Sequence, residues 1–223
     1  MKLRVVYHVC TIGNWRAVVD EQLLLVQKSG LLQACTALYL SIVGEHAHTF
    51  EWPTEWSPEC REKCHLEYVS RNTRLFERTA LAILRRRCSE FEDDVWLYLH
   101  SKGVTKPDSQ PVTHWRQFMQ HFLVENWALC VHTLKCGYDT VGVQYRATPH
   151  PHYSGNFWWA TSAYLRRISV VPIGPGYIEP ELWLMRKSPR WWSLHNAPHD
   201  LYKYVYLPQY YKNRVLVPTY SCF

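Results

Sequence analysis

The feature that most constrains this chain is an alternation, through its first 146 residues, of short apolar runs with segments of helical period. Arg4–Val9 is apolar, rich in β-branched residues and short enough for a buried strand. Trp15 to Lys28 follows with Trp15, Val18, Val19, Leu23 and Val26 at helical spacing, and Ser29-Gly30 closes it. Ala37–Val43 reads as a second strand and His65–Ser70 as a short third one, with an irregular excursion between them from Gly44 to Pro58. Asn72 or Thr73 then caps a helix with Leu75, Phe76, Ala80, Ile83 and Leu84 on one face. Val95–Leu99 reads as a central strand, Thr113 to Lys135 as a long helix that Cys136-Gly137 ends, and Asp139–Tyr145 as a further strand. This order predicts an α/β fold of Rossmann type, a mostly parallel sheet flanked by helices. After Arg146, Pro, Gly and Trp become dense and the alternation stops. One domain over residues 1–223 is expected, an ordered half (1–146) and an irregular half (147–223) facing one cleft.

Composition narrows the function classes. Aromatic residues reach 15%, with 11 Trp and 15 Tyr. Most of that area belongs in a core, and the excess also suits stacking on flat ligands such as sugars or bases. The net charge of +6 fits a phosphate-bearing substrate as well as a polyanion. Its only tight run, Arg85-Arg86-Arg87, reads as a solvated helix end, so nucleic acid is not expected as a partner. No apolar stretch approaches the ~20 residues of a membrane span, and the N-terminus reads as a strand rather than a leader. A soluble, cytoplasmic protein is expected. The eight cysteines form no regular framework and are expected as free thiols. Cys60-Arg-Glu-Lys-Cys64-His65 lacks the second ligand pair that a zinc site wants.

Four segments could carry chemistry. In Leu97-Tyr-Leu-His-Ser-Lys-Gly-Val104 an apolar strand ends in His100, Ser101 and Lys102, and Gly103 permits a tight turn. In such sheets ligands sit outside the carboxyl ends of the strands, where Lys102 and His100 could meet a phosphate. In His152-Tyr-Ser-Gly-Asn-Phe-Trp-Trp159, Ser154, Gly155 and Asn156 offer close backbone approach and paired hydrogen bonding, and Trp158 and Trp159 offer stacking surface. An aromatic core strand with Gly at a bulge is the plainer reading. Glu179 and Glu181 sit two residues apart among aromatics, as a general base or as an acidic helix start. His195 and His199 are four apart, but Pro198 between them argues against a zinc-binding helical face. A Gly-x-Ser-x-Gly elbow, a Gly-x-Gly-x-x-Gly turn and a P-loop are all absent.

Taken in order, Tyr98-Leu-His-Ser-Lys-Gly103, Trp115-Arg-Gln-Phe-Met119, Gly137-Tyr-Asp-Thr-Val-Gly142, the Ser154-Gly-Asn-Phe-Trp-Trp-Ala160 motif with Tyr164-Leu165, and Tyr177-Ile-Glu-Pro-Glu181 resemble a family of small bacterial and large-virus glycosyltransferases with the GT-A fold. The Gly-Asn-Phe-Trp-Trp piece is the specific one. The resemblance implies transfer of a sugar from a nucleoside diphosphate donor, a UDP- or GDP-sugar, to a glycan, glycoprotein or other hydroxyl acceptor. Residues 1–146 would then hold the nucleotide sugar and 147–223 the acceptor. Thr11 would lie beside the nucleoside, with His100, Ser101, Lys102, Gly103 and His199 at the diphosphate. Ser154, Gly155, Asn156, Trp158 and Trp159 would hold sugar or acceptor, and Glu179 or Glu181 would take the acceptor's proton. That fold usually carries an Asp-x-Asp holding Mn²⁺ or Mg²⁺, and this chain has His100-Ser101-Lys102 there. The metal and its ligands therefore stay open, with Lys102 and His100 as candidates to neutralise the leaving diphosphate instead. Asp93-Asp94 lies at the other end of the strand. A non-catalytic carbohydrate-binding protein and a nucleic-acid-processing enzyme are the competing readings.

Overall fold

The computed structural model describes residues 1–213; the end of the expected acceptor half, with Tyr220 and Cys222, lies outside the described residues. The elements are β1 (Leu3–Cys10), α1 (Trp15–Lys28), α2 (Leu31–Ala34), β2 (Cys35–Val43), α3 (Pro58–Glu62), β3 (Cys64–Ser70), α4 (Arg78–Glu90) and β4 (Val95–His100). They continue with α5 (Gln110–Gln120), α6 (Trp127–Lys135), β5 (Thr140–Gly142), β6 (Tyr145–Arg146), β7 (His152–Tyr153), β8 (Trp158–Thr161), α7 (Ser162–Ile168), α8 (Glu179–Trp183) and β9 (Trp191–Ser193). The central sheet has seven strands in the order β3-β2-β1-β4-β8-β5-β9, and β6 and β7 form a small hairpin. β3, β2, β1 and β4 run parallel, as the alternating sequence pattern implies.

Period-two alternation sends side chains to two covered faces. Val5, Tyr7, Val9, Leu97 and Leu99 pack with α1, α2, α5 and α6. Val6, Tyr39, Trp96 and Tyr98 pack with α4, α7 and α8 on the other face. Helix α1 buries Trp15, Val18, Val19, Leu23 and Val26 and ends where Gly30 takes a φ of 76°, as its pattern predicts. Asp94 is structural: its carboxylate holds the Arg4 guanidinium at 2.7 Å and accepts the backbone N–H of Lys2.

Three differences from the sequence pattern matter. The strand carrying Trp158 and Trp159 enters antiparallel between β4 and β5, so the second half of the sheet is not a continuation of the first. The helix expected from Thr73 begins at Arg78 instead: Asn72 caps a single 3-10 turn over Thr73–Leu75, and Phe76, at φ 49°, redirects the chain before α4. The long helix is interrupted by a π-turn at His121–Glu125, where the backbone and side-chain N–H groups of Asn126 both donate to the His121 carbonyl.

Arg86 and Arg87 pair with Glu67 on β3, and Arg87 also with Glu90, so the basic run is tied down rather than simply solvated. Cys10, Cys35, Cys60, Cys64, Cys88 and Cys130 are free thiols, whereas Cys136 is disulfide-bonded and departs from the all-thiol expectation. Among the described residues no helix is long and apolar enough to cross a membrane.

Candidate functional site

A cavity of about 560 Å³ opens at the carboxyl ends of β1 and β4. Its floor begins with two histidines in register, His8 of β1 beside His100 of β4. The strand ends are fixed by backbone bonds: Ser101 N–H donates to the His8 carbonyl, and Cys10 N–H donates to Ser101 Oγ. Past the turn, Arg116 of α5 donates to the Lys102 carbonyl at 3.0 Å while a two-point pair with Glu21 of α1 holds the guanidinium. Lys102 is thereby presented with its Nζ 3.8 Å from the centre of the Trp115 ring. Burial lowers the Lys102 pKa, against the pull of Glu181 and Glu77.

Opposite stands the segment before β8. Gly155 has φ 95° and Asn156 φ 58°. A Cβ on Gly155 would meet Met119 Sδ at 2.5 Å and Trp115 Nε1 at 2.9 Å, so both the backbone conformation and the space demand glycine. Gly155 N–H donates to Glu181 Oε1 at 2.7 Å, which orients that carboxylate at the wall. Asn156 Nδ2 donates to Glu77 Oε2 at 2.8 Å, and Glu77 Oε1 lies 3.3 Å from His100 Nδ1.

Desolvation sets the proton affinities. It lowers His8 to about 4 and His100 to about 3, the latter helped by Lys102, and it raises Glu77 against the opposing pull of His8, Asn156 and Lys102. Both imidazoles are neutral at neutral pH. Arg74 and Lys106 stand exposed at the rim, with Lys106 Nζ 4.2 Å from the centre of the Tyr202 ring, and Tyr177 packs edge-on against Phe76 at the other side. The cavity is thus lined by cationic and aromatic side chains and two oriented carboxylates, Glu77 and Glu181, a lining suited to an anionic ligand carrying flat or hydroxylated parts.

A family model described as a domain of unknown function, DUF8361, matches residues 9–171. The chain belongs to the DUF8361 family. The DUF8361 match takes in Cys10, Glu77, His100 to Gly103, Trp115, Gly155 and Asn156, and leaves Tyr177, Glu181 and Tyr202 beyond its end. No curated protein matches the chain. Among solved structures it is similar to a 4-diphosphocytidyl-2C-methyl-D-erythritol synthase from Anaerococcus prevotii, at 10% identity and TM-score 0.44 over 88% of this chain and 90% of that one. A second structure of the same description aligns at 10% identity and TM-score 0.43 over 94% and 95% of the two chains.

Of the residues singled out in this DUF8361 member's sequence, His100, Ser101, Lys102, Gly103, Gly155, Asn156 and Glu181 line the cavity. The others do not. Trp158 and Trp159 are 1% and 0% exposed and offer no stacking surface. They are core because β8 is an interior strand with helices on both faces; Trp158 stacks on Tyr98, and Trp159 Nε1 donates to the Leu123 carbonyl. Glu179 is off the wall, its carboxylate paired with Arg186. Thr11 is buried and pins the turn after β1, accepting from His46 N–H and donating to the Val43 carbonyl. Ser154 joins the cavity's supporting backbone through an N–H bond to the Gln144 carbonyl, and the His199 ring packs edge-on against Tyr204 and Tyr206. His8, Glu77 and Trp115 were not singled out as site residues. His8 had a signal, as the polar position near the end of an apolar strand; Glu77 had none, because only the turn at Phe76 aims it inward.

Proposed function

We propose that the cavity binds a nucleoside diphosphate sugar, with UDP or GDP as the nucleotide, and that the protein transfers the sugar to a hydroxyl of a glycan or glycoprotein. The observation that carries this reading is that Lys102, from a turn at the carboxyl ends of parallel strands, and the oriented Glu181 carboxylate line one cavity. Lys102, partly buried, meets the charge that develops on the departing diphosphate. Glu181 accepts the proton of the acceptor hydroxyl as its oxygen attacks the anomeric carbon and the bond to the diphosphate breaks. Glu181 takes this role in preference to Glu179, which Arg186 occupies. Among the described residues no group of three or more His, Cys, Asp or Glu side chains is placed to hold a metal ion, and the positive side chains that line the cavity are Lys102 with Arg74 and Lys106 at the rim.

Thermal melts with UDP-, GDP- and CDP-sugars test the reading. A rise of several degrees with one of them, lost in Lys102→Ala, is the expected result. A response to free glycan alone would identify a carbohydrate-binding protein, and salt-sensitive binding of RNA or DNA alone would identify a nucleic-acid enzyme. Transfer that requires Mn²⁺ or Mg²⁺ and survives Lys102→Ala would remove the Lys102 role.

A further inference from the structure

The cavity wall contains two runs of hydrogen bonds, Trp158–Asn156–Glu77 and His100–Gly155, that meet at a 3.3 Å contact whose proton their polarity leaves unassigned. Trp158 Nε1–H can only donate, and it donates to Asn156 Oδ1 at 2.9 Å. That fixes the Asn156 amide, so its Nδ2 is the donor to Glu77 Oε2 at 2.8 Å. At the far end the Gly155 carbonyl can only accept, so His100 Nε2, 3.0 Å away, must carry a hydrogen. His100 Nδ1 is left facing Glu77 Oε1 at 3.3 Å. With a neutral ring and an ionised carboxylate, two lone pairs would oppose each other there, at a carboxylate side chain only 19% exposed. One proton removes the conflict.

We infer that Glu77 and His100 share a single proton, carried by Glu77 and offered to His100 Nδ1, and that Glu77 is therefore the positioning residue that holds the His100–Gly155 wall in place beside Glu181. The inference deepens the proposed function, on which its catalytic meaning rests, because Gly155 and the His100 contact that Glu77 fixes lie in the same lining as Glu181 and Lys102. It also accounts for the Gly155-Asn156-Phe157-Trp158 motif. Trp158 anchors, from the core, the amide that orients Glu77, and Gly155 supplies both the carbonyl that fixes the His100 tautomer and the N–H that orients Glu181. The other charged or titratable groups acting on Glu77 are His8 and Tyr98 from the strands, Lys102 from the turn after β4, Arg78 from α4 and Tyr177 from the loop before α8. Burial dominates them and favours the protonated acid, while it favours the unprotonated imidazole at His100.

The inference is tested by ¹⁵N NMR of histidine-labelled protein without ligand, titrated upward from about pH 5, below ordinary imidazole titration, for as long as the chain stays folded. The expected result is a neutral, Nε2–H His100 at the acidic end. As pH rises, its Nδ1 resonance moves once, when Glu77 loses its proton, with no sign of imidazolium. In Glu77→Gln, whose amide can donate to His100 and accept from Asn156, the tautomer persists and the Nδ1 step disappears. A His100 that titrates to imidazolium near pH ~6.5, or a step that survives in Glu77→Gln, would overturn the inference. Should that variant fold poorly, melts of the wild-type chain decide: stability must fall as pH rises through the Glu77 titration seen by NMR, and constancy there contradicts the shared proton. Because no nucleotide enters these measurements, absence of nucleotide binding would sink the transferase reading while leaving the proton pair to stand or fall by itself.

Discussion

The two halves of the sheet position the site by different means. In the parallel half β1 and β2 are 8 and 9 residues long, and register alone brings His8, His100 and the turn at Lys102 to one edge. The antiparallel insert is short: β8 has 4 residues and β5 has 3. It contributes through individual atoms instead: a glycine with no room for a Cβ, an asparagine in left-handed backbone and two buried tryptophans. A long register tolerates local change because many backbone bonds share the load, whereas a site hung on single contacts fails when one is altered.

The sharpest attack on this comparison is on the insert's core. Trp159→Ala should cost about 3–5 kcal/mol in denaturant unfolding, and Trp158→Ala a similar amount, as cavities in a close-packed interior do. Losses below about 1 kcal/mol would restore the surface-platform reading of these rings. Gly155→Ala comes next, at about 1–3 kcal/mol, together with displacement of the Glu181 partner; an unchanged crystal structure of that variant would contradict the steric argument.

Within the parallel half, acidity sets the two histidines apart from Glu77. His8 and His100, lowered to about 4 and about 3, bind fewer protons when folded than when unfolded. Their stabilising neutrality is therefore present above the ordinary imidazole range and is lost as pH falls toward those values. Glu77, raised, has the opposite sign: its contribution is complete below the ordinary carboxylate range and is lost as pH rises through its elevated value. Melting temperature against pH should therefore decline toward acid, and His8→Phe should flatten that limb; an undiminished decline would exclude His8. The smallest effect belongs to Glu179→Gln, which breaks a partly exposed pair with Arg186 and should change stability by less than about 1 kcal/mol without altering turnover. Loss of turnover there would return the base to Glu179.

The same contrast governs how much could be read from the amino-acid sequence. β1, α1, β2, β3 and β4 follow from local apolar period, and the ending of Val95–Leu99 in His-Ser-Lys-Gly marked one wall of the cavity. The place of β8 did not follow, since pairing between Leu97 and Trp159 is set by contacts far apart in the chain. A Gly-Asn motif beside two tryptophans suggested aromatic surface because sequence shows ring content but not which faces of a strand are covered. Glu77 was invisible for a related reason: its direction depends on one left-handed residue, Phe76, in a segment whose apolar pattern reads as uninterrupted helix.

Titration calorimetry of UDP and GDP into the wild-type chain and Lys102→Met tests the central claim most directly. Measurable binding of one nucleotide by the wild type is expected, with at least a tenfold loss, about 1.4 kcal/mol, in a Lys102→Met variant that melts within a few degrees of it. Equal affinity in the two proteins, or no binding of either nucleotide by the wild type, would contradict that claim.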